Sequence, residues 1–198
     1  MATTTAQVAM SMKEFEDVME AIDRTTHARV AAIKTGSLDW ELPTYTLPPS
    51  VRGSDPADVP PEAKQVAEAY VGDEKNSVQK NSDDTQSDLK RRASNQMSQE
   101  EYVKLLNEEF AEDEVRYHEQ HERLKNNLIQ MGERFPERRS AIAHLYHNIS
   151  VFFSGLWGRI YNAIMDMAQK VVEWLNKAEE WFLGCLAEIT NWWRNIFG

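Results

Sequence analysis

The sequence predicts an all-α protein, and three observations carry that prediction. Apolar residues recur at three- and four-residue spacing over long stretches, which is the period of one face of an α-helix. Ser11 is followed three residues later by Glu14, and Ser98 by Glu101, which is the capping-box pattern that opens a helix. From Ser140 onward nearly every residue is compatible with a helix. We therefore expect a helical bundle or helical hairpins in the C-terminal half.

The N-terminal segment, residues 1–36, is predicted to carry one amphipathic helix over residues 11–35. Its apolar side chains share one face, and Gly36 supplies a stop signal. Because an isolated amphipathic helix is marginal in water, it needs a surface that covers its apolar face. We expect it to dock on the chain's own core through Phe15, Met19, Ile22, Thr26, Val30 and Ile33.

Residues 37–97 are predicted to form a largely disordered, acidic linker. They hold all but one of the 7 prolines and most of the runs of serine, aspartate, asparagine and glutamine. Such a composition buries too little apolar area to offset the entropy lost on folding. Pro60, Pro61 and Glu62 open a short predicted helix near residues 60–71. The remainder of the linker has almost nothing to pack.

Ser94, near the end of this linker, has the pattern of a phosphorylation site. It follows Arg91 and Arg92, an arrangement that basophilic kinases bind with acidic groups. A phosphate there would add about two negative charges shortly before the next helix. Because such short motifs also occur by chance, Ser94 is a candidate site only.

Residues 98–198 are predicted to form a helical C-terminal domain, whose first helix begins at Ser98 and ends near Gly132. Apolar residues along this helix alternate between three- and four-residue steps, the spacing of a coiled-coil seam, with polar interruptions. Its outer face is strongly acidic. The side chains predicted to pack against other helices are those of Leu106, Phe110, Leu124 and Leu128.

Tryptophan is concentrated at the C-terminus, where all but one of the 6 tryptophans lie. Because tryptophan is enriched where a helix meets a partner, a core or a membrane boundary, the contact surface is expected there. The apolar row rotates beyond Gly184, which predicts a kink or break at that glycine. Ser154 and Gly158 predict a groove where another helix approaches closely. The predicted interface residues are Trp174, Trp181, Phe182, Ile189, Trp192 and Trp193.

Charge and cysteine content exclude several classes of protein. The net charge of -10 opposes binding to nucleic acid, because phosphate backbones attract basic surfaces. Cys185 is the only cysteine, so neither an internal disulfide framework nor a cysteine-based zinc site is expected. The N-terminus lacks the basic start and apolar core of a signal peptide. We expect a cytoplasmic protein, with peripheral membrane contact as the alternative.

One group of residues has the spacing of metal ligands. Glu114, His118 and His121 lie at i, i+4 and i+7, so a carboxylate and two imidazoles share one helix face. The spacing is permissive, and histidines on an acidic helix are more often solvated. We therefore expect neither a metal ion nor a cofactor.

The sequence lacks the motifs of common enzyme classes. It contains no Gly-rich phosphate loop, nucleophile elbow or Cys/His arrangement, and its carboxylates lie mostly in solvated runs. We expect a non-enzymatic helical interaction protein that binds itself or another helical protein through its Trp-rich C-terminal helices. The alternative is a membrane-active protein whose C-terminal amphipathic helices insert into the lipid interface.

The order of the segments suggests a further alternative. An N-terminal helix, an acidic linker with a modification motif, an oligomerising helix and a C-terminal module follow one another along the chain. This order resembles the layout of viral polymerase-cofactor phosphoproteins. The resemblance implies an adaptor role.

Overall fold

The structure is a computed structural model that describes residues 10–35 and 43–197. It is 87% helical and has no strand among these residues, which confirms the all-α prediction. The helices are α1 (Met12–Lys34), α2 (Pro49–Arg52), α3 (Pro61–Ala93), α4 (Gln99–Arg134), α5 (Arg139–Gln169), α6 (Val171–Trp174) and α7 (Ala178–Phe197). Two short 3-10 turns, Pro56–Asp58 and Pro136–Arg138, precede α3 and α5.

Both predicted capping boxes are present at the helix starts. At α1 the Ser11 Oγ accepts from the Glu14 backbone N–H at 3.2 Å, and the Glu14 carboxylate accepts from the Ser11 N–H at 2.9 Å. Ser98 and Glu101 make the same two bonds at 3.1 and 2.7 Å. Each box satisfies backbone donors that the first turn of a helix leaves without partners. Gly36, the predicted stop for α1, lies outside the described residues.

Helix α5 lies at the centre of the bundle. Helix α1 packs along α5 and also contacts α4, while α3 packs against α4 and α7. The core therefore joins α1 to two helices that begin 65 and 105 residues after α1 ends. The largest fully buried side chains include Phe15, Met19, Tyr102, Tyr117, Tyr146, Phe153 and Phe182.

Two glycines allow α1 to approach α4 and α5 closely. A methyl group on Gly132 of α4 would lie 2.2 Å from Phe15 Cε1, and one on Gly158 of α5 would lie 2.7 Å from Ile33 Cδ1. Real Cβ atoms essentially never come so close, so a methyl group at either position would have to displace the α1 side chain. The terminal carbon of Ile33 can shift, whereas three atoms of the buried Phe15 ring block Gly132. We call Gly132 and Gly158 the glycine seats of α1.

The central segment is not the predicted linker, because α3 is a 33-residue helix that continues to Ala93. The short helix predicted near residues 60–71 is only its first part. Its buried face contains few large apolar side chains. It is built mostly from alanine, small hydroxyl residues and acids, which include Ala63, Ala67, Ser77, Ser82, Thr85 and Asp88. Small side chains let α4 approach α3 closely, and this close approach buries the α3 face. A search for spaced apolar residues does not detect such a face.

The C-terminal helices break earlier than predicted, and Gly184 is not the break. Lys170 interrupts the helix with non-helical backbone angles (φ −121°, ψ 46°), and a turn over residues 175–177 follows α6. The Trp174 indole N–H donates to the Asp166 carboxylate at 2.9 Å and ties α6 back to α5. Gly184 lies inside α7 and faces solvent. Burial of Phe182, Cys185 and Ile189, on both sides of Gly184, stabilises α7 as one continuous helix.

Alanine at a glycine seat and at Gly184 should have opposite effects on stability. Gly132→Ala should lower the free energy of unfolding by about 1 to 3 kcal/mol, because the fully buried Phe15 ring has no space to move into. Gly184→Ala should raise it by about 0.5 to 1 kcal/mol, because its methyl group meets nothing and alanine favours helix. Urea unfolding of both variants measures the two effects. A stabilised Gly132→Ala protein would show that α1 does not lie where described.

Candidate metal centre

A buried polar cluster lies where α1, α4 and α5 meet. Each helix contributes two side chains one turn apart, so both members of a pair point towards the same junction. The pairs are Asp23 and His27 on α1, His121 and Lys125 on α4, and Tyr146 and Ser150 on α5. All but His27 are buried, and His121 is 0% exposed. We call these six residues the polar centre.

Asp23 is the hub of the polar centre. Its Oδ1 lies 3.0 Å from His121 Nδ1 and accepts from the Tyr146 hydroxyl at 3.0 Å. Its Oδ2 accepts from Lys125 Nζ at 2.9 Å, and Lys125 also pairs with Glu20 at 3.0 Å. Burial disfavours ionisation of Asp23, but the bonds to His121 and Lys125 outweigh it and hold its pKa well below the usual value. Asp23 is therefore a carboxylate at neutral pH.

His121 has a neighbour on each side of its ring. Nδ1 lies 3.0 Å from Asp23 Oδ1, and Nε2 lies 2.8 Å from the oxygen of Ser150, whose own hydroxyl donates to the Tyr146 carbonyl at 2.7 Å. Burial lowers the pKa of His121 despite the contact with Asp23, so the ring is neutral and carries one proton. The hydrogen bond that lowers the pKa of Asp23 requires this proton on Nδ1. A cation bound at Nδ1 would move the proton to Nε2, where Ser150 accepts it.

His27 supplies a third atom with a free lone pair or proton. Its Nε2 lies 3.6 Å from Asp23 Oδ1, and this nitrogen is buried without a hydrogen-bond partner among the described residues. Asp23, His27 and His121 each place a ligand atom within 4.8 Å of the other two. The His27 side chain is 39% exposed, so this corner of the cluster opens towards solvent.

The order Asp23, His121, Ser150 matches the connections of a Ser-His-Asp catalytic triad. Two features of the site argue against hydrolase chemistry. Ser150 lies in the middle of α5 and donates to the carbonyl one turn back, so its proton is directed away from His121. The helix also engages the neighbouring backbone N–H groups, which leaves no oxyanion hole at Ser150. We interpret Ser150 as the group that orients His121.

The sequence spacing suggested Glu114, His118 and His121 as possible metal ligands. The fold instead brings His121 together with Asp23 and His27. His118 Nε2 lies 3.7 Å from Glu114 Oε1, whereas His121 turns to Asp23 and Ser150. The expectation that these histidines are solvated is wrong for His121, which is fully buried. The His118 ring instead contacts the His27 ring at a centroid separation of 4.1 Å.

The predicted C-terminal interface residues divide into two groups. Phe182 and Ile189 are 0% exposed and belong to the core. The four tryptophans are half-buried and contact other aromatic rings of the chain: Trp192 stacks on Phe152 at 4.2 Å, and Trp174 meets Trp181 edge-on at 6.4 Å. Much of their surface is thus used within the fold. The rest remains available to a partner.

The predicted helix-packing residues and the modification motif are also placed by the fold. Ser154 is buried, and Gly158 is a glycine seat of α1. The structure gives no support to a coiled coil, because α4 contacts three different helices, α1, α3 and α5. Leu106, Phe110, Leu124 and Leu128 are all buried on α4. Ser94 is exposed at the end of α3, where its hydroxyl donates to the Arg91 carbonyl at 3.1 Å.

A second buried acid lies between α3 and α5. Glu74 is 0% exposed and accepts from the Trp157 indole N–H at 3.0 Å. Burial raises its pKa to about 7, and the bond from Trp157 only partly opposes the effect. This carboxyl is therefore half-protonated near neutral pH.

Comparison with known proteins does not assign these features to a family. Searches against protein-family models, curated proteins and solved structures found no match. The functional argument therefore depends on the geometry of the polar centre and of the surfaces around it.

Proposed function

We propose that this protein binds a divalent transition metal of the zinc class at the polar centre, through Asp23 Oδ1, His27 Nε2 and His121 Nδ1. One observation carries the proposal: these three ligand atoms converge between α1 and α4, and His27 Nε2 is buried there without a hydrogen-bond partner in the part of the chain that the structure describes. The ion would join the first helix of the chain to the fourth. Its role would be to hold α1 in place.

The spacing of the ligand atoms suits a tetrahedral ion. Zinc bonds to nitrogen and oxygen are about 2.0 to 2.1 Å long, which separates neighbouring ligand atoms by roughly 3.3 Å. Asp23 Oδ1 lies 3.0 Å from His121 Nδ1 and 3.6 Å from His27 Nε2. The Tyr146 hydroxyl lies 3.0 Å from both Asp23 Oδ1 and His121 Nδ1, close to a fourth corner. Small side-chain movements would complete the shell.

The groups behind the ligands have the arrangement seen around metal-binding histidines. Such histidines donate their second N–H to a fixed acceptor, and Ser150 Oγ, 2.8 Å from His121 Nε2, is placed to be that acceptor when Nδ1 binds the ion. The Lys125 ammonium occupies Asp23 Oδ2 and leaves Oδ1 for the ion, and Glu20 offsets part of its charge. Two imidazoles and one carboxylate favour zinc, nickel or copper over magnesium and calcium, which prefer oxygen ligands.

A matched set of histidine variants tests the proposal. Zinc affinity is measured by competition with a chromogenic chelator, and cobalt absorption reports the coordination geometry. His27→Gln should lower zinc affinity at least about tenfold, since removal of outer-shell groups alone costs 10- to 100-fold. His144→Gln, outside the polar centre, should leave it unchanged. Circular dichroism checks that each variant is folded.

The variant His118→Gln separates the proposed ligands from those suggested by sequence spacing. It should keep zinc affinity within about threefold, because ligand loss costs far more than that. Loss of binding in His118→Gln with retention in His27→Gln would assign the site to Glu114 and His118 instead. Absence of zinc binding in the unsubstituted protein would overturn the proposal.

We propose self-association through α6 and α7 as a second function, in line with the expected helical interaction protein. Val172 of α6 is 80% exposed and Leu183 of α7 is 55% exposed, and α6 itself buries none of its residues. Among the described residues no helix combines the length and apolar character needed to cross a bilayer. The exposed side chains therefore favour a protein partner over a membrane span.

Charge at these exposed positions tests the second function. If the chain assembles through this surface, Leu183→Lys combined with Val172→Lys should reduce the mass measured by light scattering to that of one chain. The matched control is Ala187→Lys, which adds charge at an exposed position of the same helix. A monomeric unsubstituted chain at all concentrations would exclude self-association.

A further inference from the structure

A cavity of about 220 Å³ lies beside the polar centre, with Ser150 in its wall. It is partly open to solvent and is lined by residues of α1, of α5 and of the segment that begins at Pro43. A water molecule occupies about 30 Å³ of liquid, so the cavity holds roughly seven waters or one small organic molecule. Apolar side chains, including Ile22 and Val151, form part of its wall.

Two nitrogens on this wall are buried without hydrogen-bond partners among the described residues. They are Arg29 Nε and His147 Nδ1. The Arg29 Nε–H is a donor in every protonation state, because the guanidinium does not titrate in proteins. A buried donor without an acceptor costs about 1 to 3 kcal/mol. Neither nitrogen is exposed in the cavity, so a bound acceptor would reach Arg29 through the outer nitrogens of its guanidinium or after a small side-chain movement.

The charge of the cavity favours one negative charge on that molecule. Arg29 is cationic, and no carboxylate lines the wall within the described part of the chain. Burial lowers the pKa of His147, and the neighbouring His144 lowers it further, so His147 is neutral at physiological pH. A single cation in a partly desolvated site matches a monoanion better than a dianion.

The hydroxyl groups of the wall add a second requirement. Thr25 donates to the Ala21 carbonyl at 2.8 Å, and Thr26 donates to the Ile22 carbonyl at 2.9 Å. Ser150 likewise donates to the carbonyl one turn back on α5. Because each proton is directed into its own helix, the oxygens are left as acceptors. They suit a ligand that brings hydroxyl donors of its own.

We propose that this cavity binds a small monocarboxylate that carries a hydroxyl group. The carboxylate pairs with Arg29, and the ligand hydroxyl donates to the Thr25 and Thr26 oxygens. The site is separate from the metal ligands and does not depend on the proposed metal function. The two sites are neighbours, since Ser150 in the cavity wall lies 2.8 Å from His121 Nε2.

Three small probes test the chemistry of the cavity. Glycolate has the carboxylate and the hydroxyl, acetate lacks the hydroxyl, and glycolamide lacks the charge. Binding is followed by the chemical shift of the Arg29 Nε–H in nitrogen-15-labelled protein and by calorimetry. Glycolate should bind at least about tenfold tighter than glycolamide, the difference expected for one charge-assisted hydrogen bond. Acetate should fall between the two.

Paired substitutions assign the binding to the named groups. Arg29→Gln should lower glycolate affinity at least about tenfold, while Arg24→Gln, at an exposed position on the same helix, should leave it unchanged. Thr25→Val keeps the side-chain shape and should reduce glycolate affinity to the level of acetate. If Arg29→Gln does not fold, the proposal is still tested by the relative affinities of glycolate, acetate and glycolamide and by the effect of Thr25→Val on glycolate binding. Equal binding of glycolate and glycolamide, or no binding at all, overturns the proposal.

Discussion

Asp23→Asn is expected to lower the free energy of unfolding by about 3 kcal/mol, because it leaves the buried Lys125 ammonium without its closest partner. The substitution keeps the shape of the side chain and one oxygen for Tyr146 and His121, so the lost charge is the main change. Glu20 still pairs with Lys125, which places the cost at the lower end of the range for buried ion pairs. Urea unfolding at neutral pH measures the effect.

Two companion variants identify the cause of that loss. Asp17→Asn on the same helix breaks only an exposed pair with Lys13, which solvent screens, and should lower stability far less than Asp23→Asn. The double variant Asp23→Asn with Lys125→Met should recover part of the stability, because the orphaned charge is gone. Equal losses in Asp23→Asn and Asp17→Asn would contradict the burial of this pair.

The contribution of Asp23 also has a defined dependence on pH. Its pKa is lowered in the folded state, so the stabilisation is present above the usual pKa of aspartate, 3.8. It is lost only as the pH falls through the lower folded value. Between neutral pH and about pH 5 the contribution of Asp23 should therefore be constant.

Glu74→Gln is expected to raise the free energy of unfolding by about 2 to 3 kcal/mol near pH 8, because the native protein must bury a carboxylate there. The pKa of Glu74 is raised from 4.5 to about 7 by burial, so the folded state holds a proton that the unfolded chain has lost. The stability contribution of this group is greatest below about pH 4.5 and falls as the pH rises through about 7. Glutamine keeps an acceptor for the Trp157 N–H and removes the titration.

Unfolding at two pH values separates this effect from a general change in packing. The difference between Glu74→Gln and the unsubstituted protein should be large near pH 8 and small near pH 5. Glu109 has a pKa raised to about 7 by partial burial, but its side chain is more exposed. Glu109→Gln should therefore give the same sign and a smaller size. A pH-independent gain in Glu74→Gln would mean that Glu74 does not titrate in the folded state.

Helix starts were predictable because their signals are local. Ser11 and Ser98 each form the reciprocal bonds that their sequence pattern predicts. The second half of α3 was not predictable, because its stability comes from small and polar side chains whose partners lie on α4. At Gly184 a local signal was present, but tertiary packing outweighed it. Glycine destabilises a helix by about 1 kcal/mol, which is less than the stabilisation from burying Phe182 and Ile189.

The polar centre illustrates what single-helix spacing misses. Glu114, His118 and His121 satisfied the spacing rule on one helix, yet His121 finds its partners on α1 and α5. A weak signal was present, because Asp23 lies next to the apolar face of α1. Asp23 lies four residues after Met19 and three before Thr26, both on that face, where a solvated acid is not expected. The role of Asp23 becomes recognisable only when α1 is known to pack against α4 and α5, and the sequence of α1 alone does not contain this tertiary contact.

The position of α1 has a consequence for how the protein is made. The side chain of Asp23 meets partners 98, 102 and 123 residues later in the chain. During synthesis α1 therefore leaves the ribosome with its apolar face uncovered, and its glycine seats follow 98 and 124 residues after the end of α1. Contacts between residues so far apart in sequence form slowly, and the exposed apolar surface favours association with other chains until they have formed. Helix α1 is thus made long before the helices that cover it.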